Sequence, residues 1–372
     1  MHFRAKRIIP FVFISVGALA VALLFYYQIL EYASIGVINL SSYFFYEGIF
    51  LLALVPSIIP VLHFFRKSST EDYDEPSPRK FLRKSFGILW IFDGVLQMQL
   101  PFLTLFVQYN LIPLLGSEPI VTFLTAHAIT LWNIDPPLMN VISSLLQVYL
   151  GVFFLTYKRG FVFKLTQVSA ISWSLIIWMF AEGFGGILSP GATLLTGSPG
   201  SALFYAISSF LLLIYEQESS SGRVGTVTKL TMSVTFLGFA ISQILPSSGF
   251  WTALPISSFP SPFALLNNLT FITLLISQHA SILNGVYVLV MFAIGVSWLV
   301  LPRFAGFPTL LWGFFTWYIY QGFGIFGMTS STDPNTGLPL IFISLTFLLI
   351  TRSTDVIQNY KFAFFRRRKS LV

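Results

Sequence analysis

Two acidic side chains, Asp93 and Glu182, stand inside long apolar runs of this chain, residues 85–107 and 161–187. A charge at the centre of a bilayer costs about 2.5–3.5 kcal/mol on insertion scales, so an acid held there is a functional candidate that can carry a proton or face a cation. Asp93 and Gln97 are four residues apart and share a helical face. Counted along their helices, Gln99 and Glu182 come to similar depths in the outer half of the membrane. Gln243 and Gln321 fall in two later apolar runs. We therefore expect a polar cluster of Gln97, Gln99, Glu182, Gln243 and Gln321. Glu182 and Asp93 are its candidate proton-handling groups, and the four glutamines are candidate binding groups. The same side chains would equally serve as hydrogen-bonded glue between helices. Asp93 lies nearer the inner side, where a Lys or Arg could pair with it.

Other chemistries have few residues to stand on. The chain has no cysteine, which removes disulfides, thiolate catalysis, iron–sulfur clusters and Cys-ligated zinc. Of its four histidines, His2 and His63 lie in the N-terminal tail and at a helix end, and His127 and His279 lie in or beside loops. None is placed mid-span, where facing pairs would hold a haem. His127, His279, Asp135 and Glu118 remain an open set of outer donors, and no metal is assigned to them. There is no Walker loop, nucleophile elbow or HExxH sequence. The loop 189–200, rich in Ser, Thr, Gly and Pro, has the residues for tight turns and could line a site above Glu182.

The elements that must position these residues follow from composition. Of the 372 residues, 55% are hydrophobic and only 9% are charged, against roughly 25% charged in soluble domains. With a mean hydropathy of +0.79, most of the surface must face lipid. The apolar runs are continuous and near helical spanning length, not alternating segments of about ten residues, so an all-α bundle is expected and a β-barrel is not. About ten spans are predicted, near 8–30, 43–65, 85–107, 136–157, 161–187, 201–215, 229–246, 280–301, 304–327 and 337–351. All 21 Lys and Arg fall on one side of this arrangement. By the positive-inside rule both termini are cytoplasmic, in a multi-pass protein of the plasma membrane. The basic tail Arg366–Lys369 then faces anionic lipid, and a nucleic-acid partner is not expected. The outer loops near 108–135 and 247–279 are apolar, and Ile120–Ala128 and Phe263–Ile276 are expected at the membrane surface. The sequons at Asn39 and Asn268 both fall outside.

The chain also looks internally repeated. Trp178, Glu182, Gly183, Phe184 and Gly185 match Trp317, Gln321, Gly322, Phe323 and Gly324, and Asn140, Gly151 and Arg159 match Asn284, Gly295 and Arg303 at one constant offset. Gln97 and Pro101 resemble Gln243 and Pro246 with a one-residue slip. The expected organisation is an N-terminal helix pair (1–66), a charged cytoplasmic loop (67–84), a four-helix unit (85–215), a linker (216–228), a second four-helix unit (229–351) and a basic tail (352–372). An even number of spans per unit makes the copies parallel, related by an axis along the membrane normal.

The spacing of Arg83, Gly87, Gly94 and Gln97 resembles the opening helix of the DoxX-like membrane families, which carry Lys where this chain has Gln97. The tight basic turn at Lys158–Gly160 is similar too. Those families are four-helix membrane proteins and include the membrane subunit of thiosulfate:quinone oxidoreductase. The resemblance implies a redox-associated membrane subunit with a quinone at the polar site. The motifs around Asp93–Pro101 and Trp178–Gly186 also resemble uncharacterised archaeal and actinobacterial membrane proteins. The residues themselves leave open a small-molecule or proton-coupled transporter, or a non-catalytic scaffold bound to other subunits of a membrane complex. The predicted topology is checked in a chain with no native cysteine: a membrane-impermeant maleimide added outside should label Ser117→Cys, in the outer loop near 108–135, and leave Ser219→Cys unlabelled.

Overall fold

The computed structural model describes residues 44–55, 75–189, 191–217, 221–255, 270–324 and 331–352. The predicted first span, both sequons and the basic tail lie outside them. The described residues form an all-helical bundle with no strand among them. In chain order the helices are α1 (Phe44–Val55), α2 (Ser77–Gln97), α3 (Leu100–Phe106), α4 (Pro119–Trp132), α5 (Pro136–Thr156) and α6 (Phe161–Phe180). After these come α7 (Ser201–Gln217), α8 (Ser221–Ile244), α9 (Thr270–Gln278), α10 (Ala280–Val300), α11 (Pro302–Phe315) and α12 (Gly337–Arg352).

Four of these are long and apolar enough to cross a membrane: Pro136–Thr156, Phe161–Phe180, Gly222–Ile244 and Ala280–Val300. Their outward surfaces fit lipid. On α10, Ile282, Val286 and Leu289 repeat at helical spacing and are all exposed. Such a stripe marks an interaction surface or an aggregation liability in water, and in a bilayer it needs no protein partner.

Two helix pairs pack through small residues. Antiparallel α2 and α5 come into backbone contact at Gly87, Gly94 and Gly151. A Cβ on Gly151 would lie 2.5 Å from the Gly87 carbonyl oxygen and 2.7 Å from the Ile91 nitrogen. The Ser144 hydroxyl donates to the Gly94 carbonyl across the same contact. The pair α8 and α10 is built alike, with Gly295 against the Leu237 backbone and the Ser233 hydroxyl donating to the Gly295 carbonyl, 2.9 Å.

One ion cluster closes the far end of α2. Arg83, fully buried, pairs with Glu75 at 2.7 Å and donates to the Phe154 and Leu155 carbonyls, 2.5 and 3.2 Å, at the C-terminus of α5. A guanidinium there satisfies carbonyls that the helix leaves free and opposes the negative end of its dipole. Arg79 also pairs with Glu75, at 3.0 Å, and donates to the Lys158 carbonyl.

Three predicted spans are interrupted. The run 85–107 breaks at Met98–Gln99 because Pro101 cannot continue a helix from the residues before it. The run 161–187 stops being helical at Phe180, and the run 304–327 passes through a π-turn, Thr316–Tyr320, into a non-helical turn. These breaks shape the site described below. Because both faces of the α2–α5 contact are backbone, Gly151→Ala should destabilise the detergent-solubilised protein by about 1–3 kcal/mol. Gly238→Ala, inside α8 where an added methyl meets nothing within 4 Å, should leave its thermal midpoint unchanged or raise it slightly.

Candidate acid site between the two halves

Helix α6 ends at Phe180, and the chain then runs through Gly183, Phe184, Gly185 and Gly186 with φ of 54, 60, 61 and 72°. Three glycines hold most of this left-handed path, which other residues enter at a cost of roughly 1–2 kcal/mol each. At Gly185 no side chain fits at all, because a Cβ would overlap the Pro199 carbonyl. The turn therefore lies directly against the segment 198–200, whose Ser198–Pro199 peptide is cis. Trp178 locks the two together. Its indole Nε1 donates to the Pro199 oxygen at 2.7 Å, and its ring meets Phe184 edge-on, with centroids 5.1 Å apart.

A second turn has the same construction. Gly322, Phe323 and Gly324 have φ of 54, 57 and 67°, and Trp317 Nε1 donates to the Pro334 oxygen at 2.6 Å. The Trp317 and Phe323 rings meet edge-on, centroids 4.7 Å apart. The two constructions touch where the Thr336 hydroxyl donates to the Gly197 carbonyl.

Glu182 leaves the first turn and lies at the N-terminus of α7. Its Oε1 accepts from the Ser201 hydroxyl at 2.9 Å and from the Ala202 N–H at 3.2 Å. Freed amides and the positive end of a helix dipole suit an anion there. Its Oε2 has no partner and packs against Gly200, where a Cβ would overlap it. The corresponding group of the second turn is neutral: Gln321 Oε1 accepts from the Gly337 N–H at 2.9 Å, and Gln321 Nε2 donates to the Leu194 carbonyl at 3.1 Å.

A third acid joins the two expected ones. Asp333 lies in the loop before α12, with Oδ1 accepting from the Asn335 N–H at 2.5 Å. The Ser201 hydroxyl reaches it as well as Glu182. Asp93 follows on α2, close enough for the charges of Asp333 and Glu182 to act on it, with the Tyr205 hydroxyl alongside. Asp93 is buried, while Glu182 and Asp333 are half-buried. The three carboxyl groups carry no paired Lys or Arg among the described residues, where the basic side chains cluster at the opposite ends of the helices. The expected inner-side pairing of Asp93 with a cation is therefore not what the structure shows.

A hydroxyl has one proton to donate and two lone pairs to accept with. Ser201 can thus donate to one carboxylate while accepting from the other in its protonated form. Glu182, Ser201 and Asp333 form an arrangement able to hold one shared proton. Among the described residues no group of His, Asp and Glu has the geometry of a metal site.

The four glutamines do not join one network. Gln97 Nε2 donates to Asn140 Oδ1 at 2.7 Å, and Gln243 Nε2 donates to Asn284 Oδ1 at 2.8 Å, each pinning a helix pair. Gln99 donates to the Ser331 carbonyl at 2.7 Å, and Gln243 also accepts from Thr193. These bonds, with those of Gln321, cross between the two halves and frame the acid site. Sequence reasoning missed Asp333 because it lies in a loop. Ser198-Pro199 and Asp333-Pro334, each following a Trp-Gly-Phe-Gly turn, were the signal available.

Compared with protein-family models, curated proteins and solved structures, the chain has no match among any of the three.

Burial pushes the Asp333 carboxyl above the usual aspartate range, against the opposing pull of the Asn335 N–H and the Ser201 and Thr332 hydroxyls. A raised folded-state value means that the folded protein binds the proton more tightly than the unfolded chain, so stability falls as pH rises from about 4, the unfolded value, towards the folded one. Asp333→Asn should therefore melt a few degrees higher than the parent at about pH 8, and the difference should vanish near pH 4.

Proposed function

We propose that this protein is a proton-coupled transporter of a small molecule. The observation that carries the reading is the convergence of Glu182 and Asp333, each beside a helix break, on the Ser201 hydroxyl, with Asp93 of α2 within range of their charges and no paired Lys or Arg among the described residues. Interrupted helices whose freed ends form a site between repeated halves are the usual build of secondary transporters. A purely structural network would be served by amides, as it is at Gln97 and Gln243. Within the same reading the chain crosses the membrane about ten times. After an N-terminal pair it forms two tandem four-helix units that rock against each other around the acids. The matched Gln–Asn pairs, the two Trp-to-Pro bonds and the two left-handed turns support a tandem repeat.

The quinone-associated alternative rests on the resemblance of α2 to the DoxX-like families. The Arg83, Gly87 and Gly94 that carry it serve here to join α2 to α5. A quinone co-purifying in stoichiometric amount from native membranes would favour that alternative.

The test is solute-driven proton movement in liposomes containing the purified protein and a trapped pH dye, across a panel of cationic, neutral and anionic solutes. At least one solute should move protons, and Glu182→Gln should lower that flux by about 100-fold while the protein remains folded. Full flux in Glu182→Gln would reduce the carboxylate to a hydrogen-bonding strut and remove the proposal.

A further inference from the structure

Buried hydroxyls on helices in this chain commonly close on a carbonyl one turn earlier, as Thr166, Thr228, Thr309 and Thr346 do. Along one seam they do not. On α7, the hydroxyls of Ser208 and Ser209 are buried with no protein partner, and so is that of Tyr215. On α6, which packs along α7, the Ser174 hydroxyl and both amide atoms of Gln167 are in the same condition, with Gln167 and Ser174 0% exposed. An unmet buried polar group costs about 1–3 kcal/mol, and six atoms on one seam make that state untenable without water.

Their positions form a line. Ser201, Tyr205, Ser208, Ser209 and Tyr215 fall on one face of α7. Glu182 against Ser201 fixes the antiparallel register at one end, which brings Ser174 level with Ser209, about 12 Å along, and Gln167 level with Tyr215, about 21 Å along. At the near end stand Asp93 and Tyr205. At the far end Tyr215 lies within range of the charge of Arg79, which is paired with Glu75. Apolar side chains, Leu82 and Phe86 of α2 and Leu212 of α7, all at 0% exposure, flank the same region. The indole N–H of Trp90, which packs against Tyr205 with ring centroids 4.8 Å apart, also has no partner. Where the two turns are matched through Trp178 with Trp317 and Pro199 with Pro334, the second half offers Gly306, Gly313, Leu340 and Ile343 in place of Gln167, Ser174, Tyr205 and Ser208. Ser344 stands in place of Ser209 and is likewise buried without a partner among the described residues, so the second half keeps one such hydroxyl where the first has a continuous line.

We infer that a file of water runs along the α6–α7 seam from the Glu182–Ser201–Asp333 acids to the basic end of the bundle and is the route by which protons reach those acids. Buried waters typically satisfy two to four otherwise unmet polar groups each, and this seam supplies them at every turn. A proton entering at the Tyr215 end passes from water to water, each oxygen accepting one proton and releasing another, and ends on a carboxylate. The role as a proton route rests on the transport reading above, whereas the presence of water does not.

The test is radiolytic hydroxyl-radical labelling of the full-length protein in liposomes, in which a side chain touching ordered water is oxidised even when buried. Tyr205 and Trp90 should be oxidised about tenfold faster than Trp298, which is equally buried but has its indole N–H bonded to Thr309. Equal inertness of all three would overturn the inference, whatever the transport assay gives. The double variant Ser208→Ala/Ser209→Ala, which needs no extra space, should lower proton flux at least several-fold and leave solute binding unchanged. Unchanged flux in that variant, with labelling of Tyr205 intact, would overturn the proton route. The separate loss of transport on Glu182→Gln reports on the function and not on the water.

Discussion

A helix that ends in apolar surroundings must find partners for the amides and carbonyls it releases, because bulk water is not there to take them. Much of this structure follows from that requirement. Helix α6 stops at Phe180 and α11 gives way at Thr316–Tyr320, and each break is answered by a turn of opposite handedness, a tryptophan reaching to a proline carbonyl, and a Glu or Gln side chain reaching to the amides of the next helix. The acid site arises from this repair. Glu182 accepts what α7 offers at its start, and the second turn brings Asp333 to the same hydroxyl. The glycines are obligatory because the two backbones touch where a side chain would stand.

The all-helical class was legible because lipid-facing helices need long apolar runs, and those runs are plain in the composition. The small-residue contacts were not read from the sequence: Gly94 and Gly151 entered only through a spacing and a repeat match, because which glycine meets which backbone depends on helix register. The interruptions were harder to read. Hydropathy is blind to backbone handedness, so residues 161–187 read as a single span although the helix ends at Phe180. The glutamines were legible as polar groups inside apolar runs but not as partners, because Gln97 and Gln243 bond asparagines about forty residues later in the chain, a pairing that depends on helix register. Asp333 was illegible for a different reason. It sits between apolar runs, and only the fold draws it in.

The two turns differ where their chemistry would matter. Where one turn carries Glu182, its counterpart carries Gln321. Where one carries Ser198, the other carries Asp333. Each turn supplies one ionisable group at a position the other fills with a neutral one, and both groups converge on Ser201. Symmetric packing and asymmetric charge coexist because the hydrogen bonds that hold the turns are made by amides, hydroxyls and indoles, which the acids do not disturb.

The arginine at the end of α2 has a consequence for how the protein is made. Arg83 bonds a carbonyl 71 residues further along the chain. A ribosome adding 5–20 residues per second needs on the order of ten seconds to deliver that partner. During the interval Glu75, only eight positions away, is the partner already synthesised. The ion pair is thus an early escort for the guanidinium, and α5 arrives to an arginine whose charge is already partly offset. Biogenesis of the first half becomes an ordered handover in which a local contact holds the place of a distant one.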